Sequence, residues 1–139
     1  MLFRSYASVA AGATRTEVNI DGEGFFLGHS QYLDGAAVGC VNSKCNVYID
    51  GEASPSLSVR CNSRTNDLAG WTYCTAPSAA NAKASPVGWG GVYNNTDFVY
   101  TGGFTMRSHF KTSLKVDIMN GDGTNATGMK SVTWYALYT

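Results

Sequence analysis

Two segments in the first half of the chain share one pattern, in which alternating apolar and polar residues stop at Asp-Gly and are followed by Glu. They are residues 18–23 and 47–52. The alternation places the apolar side chains of each segment on one face of a half-buried strand. Asp-Gly favours a tight turn, because Gly accepts positive φ and the Asp side chain bonds to nearby backbone. Each segment therefore predicts a short strand that ends in a turn.

Strand patterns of this kind continue along the chain, and helix signals are nearly absent. Clusters of Gly, Asn, Asp, Ser and Pro separate the strands. The pattern predicts an all-β fold, a single antiparallel, jelly-roll-like β-sandwich of about 8–10 strands with little helix. One domain spans residues 1–139. The predicted strands are residues 2–9, 14–20, 24–33, 45–50, 56–60, 70–75, 97–100, 103–110, 113–119 and 130–138.

The last predicted strand is apolar or aromatic on both faces. Trp134 and Tyr138 lie on one face, and Tyr135 and Leu137 on the other. An exposed apolar edge strand would promote aggregation. We therefore expect this strand to be central in its sheet or covered on its outer face.

Composition narrows the classes of partner. The 139 residues suffice for one domain with a sizeable core. Only 14% of residues are charged and the formal net charge is zero, so partners are expected to cover much of the surface. Because the chain has no basic excess, we expect no direct contact with nucleic acid. No apolar run is long enough for a membrane helix, so no membrane partner is expected either.

The first residues lack the positive segment and apolar core of a secretory signal peptide. The expectation is a chain that leaves its cell of origin within an assembly or by lysis. The alternative, a signal peptide already removed, stays open.

Four cysteines allow three disulfide connectivities. They are Cys40, Cys45, Cys61 and Cys74. A disulfide between Cys40 and Cys45 could clamp the tip of a hairpin. Their spacing also fits half of a zinc site, but Cys61 and Cys74 are too far apart to form the second ligand pair. Buried thiols or disulfides are therefore favoured, and no metal or other cofactor is expected.

Four carboxylates flank the two Asp-Gly turns: Asp21, Glu23, Asp50 and Glu52. A suitably spaced pair could hydrolyse a glycosidic bond. No sequence feature calls for a raised pKa at any of them, so we interpret them as turn formers. We expect no enzymatic activity and assign no catalytic residue.

The two histidines, His29 and His109, are interpreted as surface or interface residues. No G-x-S-x-G nucleophile motif accompanies them. Two histidines are also few for a metal site.

Aromatic residues are concentrated in the middle of the chain. Trp71, Tyr73, Trp89 and Tyr93 could stack on sugar rings or contact a partner protein. The alternative is packing in the core or in an interface, to which large aromatic side chains contribute strongly. The sequence leaves both interpretations open.

Five short elements occur in an order that resembles small jelly-roll domains of bacteriophage virion structural proteins. They are an opening loop at 8–14, a Gly-aromatic element at 22–28, Ile-Asp-Gly at 49–51, Phe-x-x-Ser-Leu at 110–114 and a closing aromatic strand at 132–138. The four cysteines and the Trp-rich middle depart from that pattern.

The resemblance implies a virion localisation and a non-enzymatic structural function. The expected protein is a capsid decoration or cement protein that stabilises the shell through contacts with the major capsid protein or other virion proteins. A homo-oligomer is implied, with a trimer favoured. The alternative is a carbohydrate-binding or host-receptor-binding domain of a tail fibre or baseplate.

Overall fold

The computed structural model describes residues 2–34, 43–60, 90–94 and 99–139. These segments contain nine strands and no helix, which confirms the predicted all-β class. The strands are β1 (Leu2–Val9), β2 (Thr14–Asp21), β3 (Gly24–Asp34), β4 (Lys44–Ile49), β5 (Leu57–Arg60), β6 (Gly90–Asn94), β7 (Val99–Phe110), β8 (Ser113–Met119) and β9 (Thr127–Leu137).

The strands form two antiparallel sheets that pack as a sandwich. The five-stranded sheet has the order β1-β9-β3-β7-β6, and the four-stranded sheet has the order β2-β8-β4-β5. Four strands of the first sheet, β1-β9-β3-β7, face β2-β8-β4-β5, which is the arrangement of an eight-stranded jelly roll. Strand β6 adds to the edge beside β7. The predicted jelly-roll-like sandwich is therefore confirmed.

The core lies between the sheets and follows the alternation of the strands. The largest fully buried apolar side chains come from β3, β7, β8 and β9, and they are Phe26, Phe110, Leu114, Ile118 and Met129. The alternation predicted for the two Asp-Gly segments is also observed. Val18 and Val47 are buried, and Ile20 and Ile49 pack partly buried against the same core.

Most strand bounds agree with the sequence prediction, and the differences have local causes. The predicted strands 97–100 and 103–110 form the single strand β7, in which Gly102 and Gly103 pair with β3 on one side and β6 on the other. The glycine pair suggested a break, but backbone pairing on both sides holds it in the sheet. Strand β6, which was not predicted, begins with two glycines. The predicted strand 70–75 lies outside the described residues.

Both Asp-Gly turns contact the turn between β7 and β8, where the chain crosses from one sheet to the other. Asp50 Oδ1 accepts hydrogen bonds from the backbone N–H groups of Lys111 and Thr112, both at 2.7 Å. From the other side, the Gly22 N–H donates to the Thr112 carbonyl at 2.8 Å. The hydrogen bonds to Thr112 and its neighbours hold the Asp50 pKa below its usual value, although the desolvation that accompanies them opposes this shift. Asp50 therefore acts as the turn former that the sequence suggested.

Candidate functional site

The outer faces of the two sheets differ in chemistry. Among the described residues, every large apolar side chain that is strongly exposed belongs to a strand of the five-stranded sheet or directly follows β9. These side chains are Tyr6, Leu27, Met106, Trp134, Leu137 and Tyr138. Leu137 shares a strand face with the buried Tyr135 and is exposed because it ends β9, so it is not counted on the outer face. A contiguous exposed apolar patch on a soluble protein often marks an interaction surface. We call the solvent-facing side of this sheet the aromatic face.

The outer face of the four-stranded sheet is polar, and its side chains bond to one another. Asp117 accepts from the Thr16 hydroxyl at 2.7 Å and pairs with Lys115 at 2.7 Å. The hydrogen bond to Asp117 raises the Lys115 pKa. Across the next strand pair, the Ser58 hydroxyl donates to Asn46 at 2.7 Å. These polar groups thus bond to one another, and the Lys115 ammonium lies over the Tyr48 ring on the same face, 4.8 Å from its centroid. The contrast with the exposed side chains of the other sheet directs attention to the aromatic face.

A compact group of side chains lies at one end of the aromatic face. Phe25 on β3 is the cross-strand partner of His109 on β7, and their ring centroids lie 5.2 Å apart. Tyr138 lies 5.7 Å from Phe25 and 6.2 Å from His109. The Arg107 guanidinium lies over the Phe25 ring, with Cζ 4.1 Å from the centroid. Glu23 pairs with His109 Nε2 at 2.9 Å. We call these five residues the aromatic cluster.

The cluster depends on the local course of the backbone. Gly24, between Glu23 and Phe25, lies so close to β9 that a Cβ atom there would be 2.0 Å from the Ala136 carbonyl oxygen. The Tyr138 N–H donates to the Glu23 carbonyl at 2.9 Å, which holds the residue after β9 beside the start of β3. A glycine is therefore required for this close approach of the two strands.

The aromatic face continues along β9 and β1. Trp134 lies opposite Gly28 of β3, so no cross-strand side chain covers that side of the indole. Farther along, Tyr6 is 64% exposed, and Lys130 Nζ lies 5.1 Å from its ring centroid. Strand β9 is central, between β1 and β3, as expected for a strand with two apolar faces.

A second group of polar side chains is buried between the sheets. Glu17 accepts hydrogen bonds from the Arg15 guanidinium and from the Ser131 hydroxyl of the opposite sheet. A register shift in β2 between Thr16 and Val18 turns both Glu17 and Val18 towards the interior. Sequence reasoning missed Glu17, because simple alternation would place it opposite Val18.

His29 belongs to this interior group, so its interpretation as a surface or interface residue was wrong. The side chain is fully buried, with Nε2 3.1 Å from Gln31 Oε1 and Nδ1 3.0 Å from Thr133 Oγ1. The tautomer that matches this Gln31 orientation has the proton on Nε2, which donates to Oε1, while Nδ1 accepts from the Thr133 hydroxyl. Burial lowers the His29 pKa from 6.5 to about 4, so the ring is neutral at pH 7. His109, in contrast, is exposed as predicted.

The sequence-predicted contact and disulfide residues fall largely outside the described segments. Trp71, Tyr73 and Trp89 lie there, and Tyr93 is described as part of strand β6. Cys40 also lies outside. Cys45 is a free, buried thiol on β4, and burial raises its pKa well above the usual value. The structure thus has no disulfide at Cys45, the described member of the predicted Cys40–Cys45 pair.

Within the described segments, no three or more His, Cys, Asp or Glu side chains are placed to hold a metal ion. No helix in those segments has the length and apolar character needed to cross a membrane. No family model matches the chain, and no curated protein matches it either.

Proposed function

We propose that this protein is a non-enzymatic structural component of a bacteriophage virion, and that it assembles through its aromatic face. The observation that carries the proposal is the contrast between an exposed aromatic face and an opposite face on which polar side chains bond to one another across the strands. Its jelly-roll strand order and its resemblance to phage virion domains support placement in a particle. A capsid decoration or cement function is the most specific form of the proposal.

The aromatic face can provide part of a contact with another protein. Four neighbouring strands at about 4.8 Å spacing, over the stretch from Lys130 to Tyr138 at about 3.3 Å per residue, give roughly 500 Å². A standard interface uses roughly 800 Å² from each partner, so surface beyond this face would have to complete the contact. The proposed partners are the major capsid protein or other virion proteins, together with further copies of this chain, of which a trimer is favoured. Repeated seating on a shell would add avidity to each contact.

The composition of the face also matches that of interface hot spots, which are enriched in Trp, Tyr and Arg. Trp134 on β9, Tyr138 directly after it and Arg107 on β7 provide these residue types on the two sides of β3. Because these side chains come from a hydrogen-bonded sheet, little backbone ordering is needed on binding.

Mass spectrometry of density-purified phage particles tests the proposal, with the chain expected as a stoichiometric component. Particles that lack the chain should bind the purified wild-type protein when it is added, and the amount bound is the recovery. The variant Trp134→Ser should reduce this recovery, whereas Tyr48→Ser, on the opposite sheet, should not. Absence of the chain from intact particles would contradict the proposal.

The second candidate is a carbohydrate-binding or host-receptor-binding domain of a tail fibre or baseplate. The aromatic cluster favours it, because the ring of Tyr138 is exposed beside the charged groups of Glu23 and Arg107. A glycan array with wild-type protein and Tyr138→Ala tests this candidate. Binding that the substitution abolishes is expected, and an array without any bound glycan would count against it.

A further inference from the structure

We propose that the aromatic cluster binds a sugar that carries a carboxylate, such as a uronic acid or sialic acid unit. The inference rests on the glycan-binding candidate above and specifies the chemical class of its ligand. It concerns five side chains at one corner of the aromatic face: Glu23, Phe25, Arg107, His109 and Tyr138.

Arg107 provides the group that recognises the carboxylate. Its guanidinium lies over Phe25 at 4.1 Å, and no ion pair with Arg107 forms within the segments that the structure describes. The contact with Phe25 holds the guanidinium beside the ring, and because Arg107 is exposed its N–H donors are available at the surface. A guanidinium binds a carboxylate through two parallel hydrogen bonds, a geometry that a lysine cannot reproduce. Arg107 is therefore an oriented anion-binding group that lacks an anion within the described chain.

Tyr138 provides an apolar surface for the sugar ring. It is 58% exposed, and its ring is nearly perpendicular to that of Phe25, at 77°. An edge-to-face contact of this kind orients a ring without covering it as parallel stacking would. The C–H groups on one side of a sugar ring can therefore pack against the open surface of Tyr138, while the phenol oxygen is available to hydroxyl groups.

Glu23 favours a sugar over an acidic protein segment. Its carboxylate is half exposed, and one oxygen, Oε1, is held by His109 Nε2 at 2.9 Å. The remaining oxygen can accept hydrogen bonds from sugar hydroxyls, which are donors as well as acceptors. A peptide rich in Asp and Glu has only its backbone N–H groups as donors and would place several like charges beside Glu23, which is unfavourable. An acidic sugar instead supplies a carboxylate for Arg107 and hydroxyls for Glu23.

The cluster is small enough for one or two sugar residues. Its three ring centroids are separated by 5.2 to 6.2 Å, and Phe25 contacts Arg107, His109 and Tyr138. Because Arg107 and Tyr138 each contact Phe25, the guanidinium and the Tyr138 ring lie less than about 10 Å apart. Both recognition elements, the aromatic surface and the anion-binding group, are therefore within reach of one short oligosaccharide.

Calorimetric titration of the purified chain tests the proposal with defined probes. The acidic probes are tri-galacturonate and sialyllactose, and the neutral counterparts are carboxyl-reduced tri-galacturonate and lactose. A peptide of consecutive glutamates is a third probe. We expect an acidic sugar to bind at least tenfold more tightly than its neutral counterpart and the peptide. Arg107→Met should weaken that binding about tenfold or more, as expected for loss of a charged hydrogen-bonding group.

The matched control is Lys115→Met, since Lys115 also lies over an aromatic ring, that of Tyr48 at 4.8 Å, but on the opposite sheet. Its affinity for the acidic sugar should equal that of wild type. Equal binding of acidic and neutral sugars would overturn the inference and leave glycan binding intact. Equal binding of the glutamate peptide, or an unchanged affinity in the Arg107 variant, would also overturn it. If no sugar binds the wild-type chain at millimolar concentrations, both the inference and the glycan-binding candidate fail.

Discussion

Replacement of the buried histidine, His29→Gln, should remove a defined part of the acid sensitivity of the fold. The folded-state pKa of about 4 lies below the ordinary value of 6.5, because burial penalises the charged ring. The unfolded chain therefore binds this proton more readily than the folded chain. The stability contribution of neutral His29 is complete above pH 6.5 and is lost as the pH falls towards 4.

The size of this stability contribution follows from the folded-state and unfolded-state pKa values of His29. Their difference of about 2.5 units, at about 1.36 kcal/mol per unit, gives roughly 3 kcal/mol when the loss is complete. About 2 kcal/mol of this contribution to the unfolding free energy should be lost by pH 5. The groups facing His29 are Gln31 on its own strand, Thr133 on β9 and Glu17 on β2. The Gln31 hydrogen bond and the Glu17 charge both favour the protonated ring, but burial outweighs them.

Urea denaturation followed by tryptophan fluorescence between pH 4.5 and 7.5 provides the measurement. The quantity of interest is the difference in unfolding free energy between wild type and His29→Gln at each pH, because carboxylates common to both proteins then cancel. From pH 7.5 to 5, wild type should lose about 2 kcal/mol more than the variant. His109→Gln, which retains His29, should keep the loss seen in wild type. Parallel curves for wild type and His29→Gln would refute the reasoning.

Two further substitutions test the turn region and the close approach of β3 to β9. Gly24→Ala should destabilise the fold by roughly 3 kcal/mol or prevent folding, because the added Cβ would meet the Ala136 carbonyl oxygen. The matched control is Gly123→Ala, since no atom lies within 4 Å of a Cβ added there. Equal urea midpoints for the two variants would contradict this account. Asp50→Ala should lower the urea midpoint, because the N–H groups of Lys111 and Thr112 lose their acceptor, whereas Asp21→Ala should leave it near that of wild type. Since the folded-state pKa of Asp50 is lowered, its contribution should be present near neutral pH and disappear on acidification below the ordinary carboxyl range; an acid-insensitive difference between wild type and Asp50→Ala would argue against it.

The fold could be predicted from sequence where its signals are local. Alternation and Asp-Gly chemistry act within a few residues, which is why the strands ending at Asp21 and Ile49 were placed within one residue of their observed ends. Strand β6 was missed because its glycines carry no side-chain pattern. It is recognisable only through pairing with β7, whose position the local sequence does not specify.

The candidate site depends on long-range register. The burial of His29 requires a hydroxyl from Thr133, which is 104 residues away, and its neighbours Gly28 and Ser30 gave the segment a surface character. Arg107 and Phe25 come together because β3 pairs with β7 so that Phe25 lies opposite His109, two residues from Arg107. The two apolar faces of the last strand were a correct signal for this region, but they could not identify which residues from β3 and β7 would lie beside it.

The hydrogen bonds between the two Asp-Gly turns and the β7–β8 turn have a consequence for ligand binding. Residues 111–113 are tied to Asp50, and Gly22 is tied to Thr112, so the chain on either side of the aromatic cluster is fixed by the same set of hydrogen bonds. Glu23 directly follows Gly22, and His109 lies two residues before Lys111. The cluster is thus preorganised, and a ligand that binds there meets side chains whose backbone positions were set when the protein folded. Little backbone ordering is therefore needed on binding, so Asp50 and Gly22, which are outside the cluster, contribute to its affinity for a ligand.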